Sequence, residues 1–210
     1  MRFALLALFV LATAGLASAQ QPAASAPAPK PGDMVTNPAY SHWAHFAVGS
    51  SVTQKEAVTL ADGTLVESVI TAKLVSKSKQ KLTVETTVAA ADVTKRSGAA
   101  DESKTLTTYP AKVKFEDIHT PESGGYSVTT GKEVLDVKGK MTEVEWVEAS
   151  TTSSDGTVTE KDWYTVDVPG GLVKQTVTKK KADKVSSQST LQLVDMKAKR
   201  ETAKHEAKKS

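Results

Sequence analysis

Cysteine is absent from the 210 residues. That excludes disulfide reinforcement, thiol catalysis, thiolate metal sites and a lipid-modified N-terminal cysteine. Stability must then come from burial and backbone pairing, which a domain of about 150 residues achieves by hiding roughly two-thirds of its unfolded surface. Aromatic residues make up only 5%, so the anchors that usually dominate a protein–protein interface are scarce. The one long apolar run, Phe3 to Leu11, is well short of the about 20 residues that cross a bilayer, and no transmembrane segment is expected. Excess charge is small at +3, which gives no broad cationic surface, and no nucleic-acid partner is expected.

What is present begins with an export signal. Arg2 supplies a positive n-region, Phe3 to Leu11 the apolar core, and Ala17-Ser18-Ala19 the small-x-small pattern that signal peptidase accepts. Residues 1–19 are therefore expected to be a signal peptide, with the mature protein starting near Gln20 in the periplasm or the extracellular space. Residues 20–36, with Pro22, Pro27, Pro29 and Pro31, have little to bury and are expected to form an Ala/Pro-rich flexible tether. Residues 37–196 read as a single antiparallel β domain. Residues 197–210 form a basic tail carrying Lys197, Lys199, Arg200, Lys204, Lys208 and Lys209, suited to weak contact with an anionic surface.

Period two dominates the domain. Val66, Ser68, Ile70, Ala72 and Leu74 fall on one side of an extended segment, and Leu82, Val84, Thr86, Val88 and Ala90 repeat the pattern in the next. Val158, Tyr164, Val166 and Val168 share even positions, and Val185, Leu191 and Leu193 share odd ones. Turn signals separate these runs at Asp62-Gly63, Ser76 to Gln80, Gly124-Gly125, Lys138-Gly139, Asp155-Gly156 and Pro169-Gly170-Gly171. The two Asp-Gly pairs suit type I′ hairpins, in which both central residues take positive φ. Ala91 to Lys104 breaks the rhythm, as a long loop or one short helix. The pattern predicts roughly eight to ten strands in an all-β fold with minor α content, a curved antiparallel sheet forming a half-barrel or barrel. Little helix is on offer to cover its apolar face beyond a short segment around Trp43 and Phe46.

Groups that carry chemistry are few. His42 and His45 sit one helical turn apart without a third ligand nearby, so no metal is expected; His119 and His205 have no evident partner. Glu143 and Glu145 share a strand face, as the wet side of a sheet does. There is no Gly-x-Ser-x-Gly elbow and no phosphate-cradling loop, so neither a cofactor nor an enzymatic activity is expected. An unfamiliar hydrolase would have to rest on these carboxylates and histidines, with His119 the first to test.

Trp43, Phe46, Gly49, Ser50 and Val52 spell Trp-x-x-Phe-x-x-Gly-Ser-x-Val, and Val168 to Lys174 spell Val-Pro-Gly-Gly-Leu-Val-Lys before a closing Leu193-Val194-Asp195. In these motifs the chain resembles a group of uncharacterised exported bacterial proteins of planctomycete type, which is similar in pattern to the LolA/LolB-like half-barrel, whose named members carry lipoprotein acyl chains. The resemblance implies a non-enzymatic envelope protein that holds an apolar molecule or acyl chain in a concave sheet. Trp43, Phe46, Trp146 and Tyr164 are the expected lining, and Pro169, Gly170 and Gly171 the rim loop. The alternative is a structural or adaptor domain, its sheet interior fully packed, that contacts another envelope protein.

Overall fold

The computed structural model describes residues 29–90, 102–118, 125–182 and 184–200. The expected signal peptide, the expected tether up to residue 28, residues 91–101, Gly124, His119, and His205 with the other residues beyond 200 lie outside the described residues.

Strand β1 (Met34–Thr36) leads into helix α1 (Pro38–Ala44), and then β2 (Ser51–Leu60), β3 (Leu65–Lys77), β4 (Lys81–Ala90) and β5 (Glu102–Pro110) run as a meander. Strand β6 (Lys112–Lys114) pairs with β1, and the short helix α2 (Phe115–Ile118) follows. A second meander comprises β7 (Tyr126–Val137), β8 (Lys140–Ser153), β9 (Gly156–Tyr164), β10 (Leu172–Lys181) and β11 (Lys184–Lys197). The last strand returns to pair with β2, so the two meanders fuse into one nine-stranded sheet of order β5-β4-β3-β2-β11-β10-β9-β8-β7. With 71% of the described residues in strands and 7% in helices, and a curved antiparallel sheet that does not close into a barrel, the expected all-β architecture is present in its open form.

Register fixes which side chains share a face. One row crosses the sheet as Ser68, Glu56, Leu191, Gln175, Asp162, Val147 and Thr130. The next runs Val66, Val58, Ser189, Val177, Glu160, Ala149 and Val128. Ile70, Leu191 and Val147 on this face are buried, yet they lie outside the cluster that α1 covers. Burial of side chains on β3, β11 and β8 without the helix is what the inner face of a bent sheet requires. Lys55, Glu67, Lys73 and Glu85 point to the other, outer face, where water accepts them.

Two sequence expectations need correction. In both Asp-Gly pairs only the glycine has positive φ, +82° at Gly63 and +129° at Gly156; the two positive values that type I′ demands occur instead in the β7–β8 hairpin, at Lys138 (58°) and Gly139 (81°). Asp62 is held otherwise because its carboxylate accepts the Thr64 N–H at 2.9 Å. Val185 does not share a side with Leu191: a register shift between Lys179 and Lys180 places it opposite Lys180, on the outer face and 52% exposed.

Candidate functional site

The inner face has a closed end, and α1 closes it. Asn37 caps the helix, its Oδ1 accepting the Ala39 N–H at 3.0 Å while its amide donates to the Pro110 carbonyl at 2.9 Å, and Pro38 begins the first turn without needing a donor. At the other end the Lys77 ammonium donates to the carbonyls of Ala44 and Phe46, at 2.8 and 2.9 Å, where the helix presents unpaired acceptors. Trp43 and Phe46 are driven into the sheet and pack in one buried cluster with Val52, Leu74, Leu82 and Val84. The chain just past the helix is pinned as well: the Ser50 hydroxyl donates to the Lys199 carbonyl and accepts its N–H, at 3.1 and 3.0 Å.

The loop after β9 forms the seat of the helix. Gly170 and Gly171 both have φ of +79°, and a Cβ at either would stand 3.0 Å from the ring of Trp43 or His42. Glycine is required here twice over, by backbone handedness and by the approach of α1. Pro169 beside them is buried. On the same side the His42 ring stacks on Tyr164 with centroids 5.2 Å apart, and burial lowers the His42 pKa.

Of the residues expected to line a ligand, Trp43, Phe46 and Tyr164 come together at this closed end, with Pro169, Gly170 and Gly171 beneath them. Trp146 is set differently. It pairs with Trp163, whereas Tyr164 pairs with Glu145, so Trp146 projects from the opposite face of its strand to the one that Tyr164 shares. From there it packs against the buried cluster, to which Trp163 belongs. Lys161 lies 4.0 Å from its ring and 5.0 Å from that of Trp163, and the Trp163 N–H donates to Glu133. Glu143 is exposed and Glu145 half-buried; the two share Lys132 as ion-pair partner, at 3.2 and 3.5 Å. Among the described residues no group of three or more His, Asp or Glu side chains is placed to hold a metal. A cavity of about 110 Å³ between the β7–β8 tip and β10–β11, lined by Leu135, Val137, Val173 and Leu193, is smaller than the roughly 300 Å³ at which ligand pockets begin.

The polar residues of the inner face were missed in the sequence, although a signal existed. Glu160 and Asp162 fall in phase with Val158 and Tyr164, at positions where the alternation calls for apolar side chains. Asp162 is 6% exposed; its Oδ2 accepts the Tyr164 hydroxyl at 2.9 Å, and its Oδ1 is buried without a hydrogen-bond partner. Gln175 donates to Glu160 Oε1 at 2.7 Å, and Ser68 donates to Glu56 Oε2 at 3.0 Å. Burial, reinforced by the charge of Asp162, pushes the Glu160 carboxyl up to about 7, against the opposing hydrogen bond from Gln175. Burial likewise raises Asp162, against the opposing pull of the Tyr164 hydroxyl and the Gln175 amide, and burial together with the neighbouring carboxylates raises the Tyr164 hydroxyl. The site is therefore an apolar surface with a pair of reluctant carboxyls at its centre.

No protein-family model matches the chain, and no curated protein matches it. Among solved structures it is similar to a protein from Bacteroides fragilis whose name calls it exported and YmcC-like in fold, with a TM-score of 0.40 at 10% identity over 71% of this chain and 97% of that one. It is also similar to a LolA-superfamily protein from Nitrosomonas europaea, with a TM-score of 0.26 at 16% identity over 80% and 95%. A domain from Vibrio parahaemolyticus named for outer-membrane lipoprotein sorting gives a TM-score of 0.24 at 13% identity over 77% and 90%. Likeness at this level carries no activity, ligand or partner across to the present chain. Among the described residues no helix is long and apolar enough to cross a membrane.

Proposed function

We propose that this is an exported, non-enzymatic protein that holds an apolar molecule on the inner face of its sheet. One observation carries the reading. Helix α1 has seven residues, and the buried cluster it joins reaches along this face only as far as Val52, Leu74, Leu82, Val84, Val173 and Leu193. Further along the same face Val58, Val66, Val177 and Ala149 are half-buried, and Leu60, Val128 and Val158 are 38%, 42% and 38% exposed. An apolar strip of this kind, interrupted only by Ser189 and Glu160 along its row, gains about 25 cal/mol for each Å² that a ligand shields from water. Tyr164, Trp43 and Phe46 form the closed end against which the molecule stops, and Pro169 to Gly171 support it from below.

The test is native mass spectrometry and solvent extraction of protein purified from the envelope of its own host. A co-purifying lipid or other apolar molecule in stoichiometric amount supports the reading. Protein that is empty and fails to bind N-phenylnaphthylamine refutes it, and leaves the adaptor role, to be sought by cross-linking in the envelope.

A further inference from the structure

We propose that the molecule held on the inner face is a cationic amphiphile, an alkyl chain ended by a protonated amine whose N–H groups meet Glu160 and Asp162. This rests on the ligand-holding reading and adds to it the chemistry of the head group.

The acceptors are laid out for a donor that the protein does not itself provide. One oxygen of each carboxyl is engaged, by Gln175 at Glu160 and by Tyr164 at Asp162. The remaining Asp162 oxygen is buried and unpartnered, in a side chain that is only 6% exposed. A carboxyl oxygen removed from water without a donor is costly, and as a carboxylate more so. The ion pairs among the described residues, Lys55–Glu67, Lys104–Glu102, Lys132 with Glu143 and Glu145, Lys138–Asp195 and Arg200–Asp167, leave both groups without a cation.

Charges facing the pair come from several strands. Asp162 itself lies beside Glu160 on β9, β10 contributes Gln175 and Lys179, β2 contributes Glu56, and β8 offers Val147, Ala149 and, opposite Tyr164, Glu145, whose charge is paired with Lys132 of β7. Lys179 sits a row further out, opposite Val158, and is exposed. The balance is acidic, so a fatty-acid carboxylate or a lipid phosphate would meet repulsion where an ammonium meets two acceptors. Val177 and Ala149 flank Glu160 directly across the ladders, and Val147 flanks Asp162. The head is thus bordered by surface that suits a methylene chain. The elevated proton affinity of Glu160 is what a carboxyl pair lacking its counter-ion displays, and an ammonium would reverse it.

Displacement of N-phenylnaphthylamine from the purified protein at pH 8 by dodecylamine, dodecanol and dodecanoate tests the inference. Dodecylamine is expected to compete about tenfold better than dodecanol, with dodecanoate weakest, since one charge-assisted contact is worth roughly that factor. Glu160→Gln, which keeps an acceptor for Gln175, should erase the amine's advantage over dodecanol; Asp162→Asn, checked for folding by circular dichroism, should do the same. Equal competition by amine and carboxylate, or an amine advantage that survives Glu160→Gln, overturns the head-group assignment while dodecanol binding upholds the carrier reading. If no chain displaces the probe, the carrier reading falls and takes this inference with it.

Discussion

Replacing Glu160 by Gln is expected to stabilise the protein above neutral pH and to change little in acid. Folding raises this carboxyl from its ordinary 4.5 to about 7. Between those values the native state holds a proton that the unfolded chain has released, so stability falls as pH rises through the window and is level beyond it. At about 1.36 kcal/mol for each tenfold in proton affinity, the ceiling is about 3.4 kcal/mol. Glu160 is only half-buried, and solvent screening reduces this to roughly 1–2 kcal/mol. The amide of the variant has no charge to desolvate and can still accept from Gln175, so it escapes the penalty. Urea unfolding followed by tryptophan fluorescence at pH 4.5, 5.5, 6.5 and 8 measures the effect. The excess stability of the variant should grow between pH 4.5 and about 7 and then stay constant. His42 works in the opposite sense: its folded pKa lies below 6.5, so its contribution is lost as pH falls, but it is common to both proteins and cancels in the difference. Parallel stability curves, or a variant less stable at pH 8, would refute the reasoning.

Gly170→Ala should cost about 2–3 kcal/mol, because it adds contact with the Trp43 ring to a left-handed backbone, whereas Gly63→Ala, with φ of +82° and open space around it, should cost about 1 kcal/mol; equal losses in thermal unfolding would remove the seat assigned to α1. At Gly131, where a Cβ would fall 2.5 Å from the Trp146 ring, alanine should displace that indole, shift tryptophan emission and destabilise by about 1–2 kcal/mol; unchanged emission would show that the ring does not lie there. Ser50→Ala deprives the Lys199 N–H of its acceptor and should cost about 1–3 kcal/mol while speeding exchange of that amide; unaltered exchange would contradict the pinning of the C-terminal chain to this serine.

Much of the fold was legible because it is written in alternation. The runs Val66 to Leu74 and Leu82 to Ala90 do face inward together, as period two implies. Alternation is silent on non-local pairing, so the junction of β11 with β2, which turns two meanders into one sheet, had no local signature. It also fails wherever a bulge shifts the phase, as at Val185. At the site, the aromatics Trp43, Phe46 and Tyr164 could be found by type and spacing, and the structure brings them together at α1. Trp146 was indistinguishable from them by type; only the parity of its pairing with Trp163 assigns it to the other face of β8. Glu160 and Asp162 went unnoticed because charged residues on strands usually mark the wet side, and their phase was outweighed by their chemistry.

The buried polar residues of the sheet separate structural roles from the one that remains open. Asn37, Ser50, Gln54 and Asp162 are 6%, 0%, 7% and 6% exposed. Asn37 satisfies a helix N-terminus and the Pro110 carbonyl. Ser50 serves both backbone groups of Lys199. Gln54 donates to the carbonyl of Leu172 at 2.9 Å, next to the register shift where β10 leaves its pairing with β9. Each of these three repairs a backbone group that the architecture would otherwise strand, which is the usual reason for a polar side chain in an interior. Asp162 repairs none: its hydrogen bond is to another side chain, Tyr164, and its second oxygen has no partner. An apolar residue of similar volume there would fit the phase set by Val158 and Tyr164 and would spare the desolvation penalty. A sheet that accepts this penalty at one inner position, beside a second carboxyl and between Gln175 and Val147, has retained a group that packing alone gives it no reason to keep.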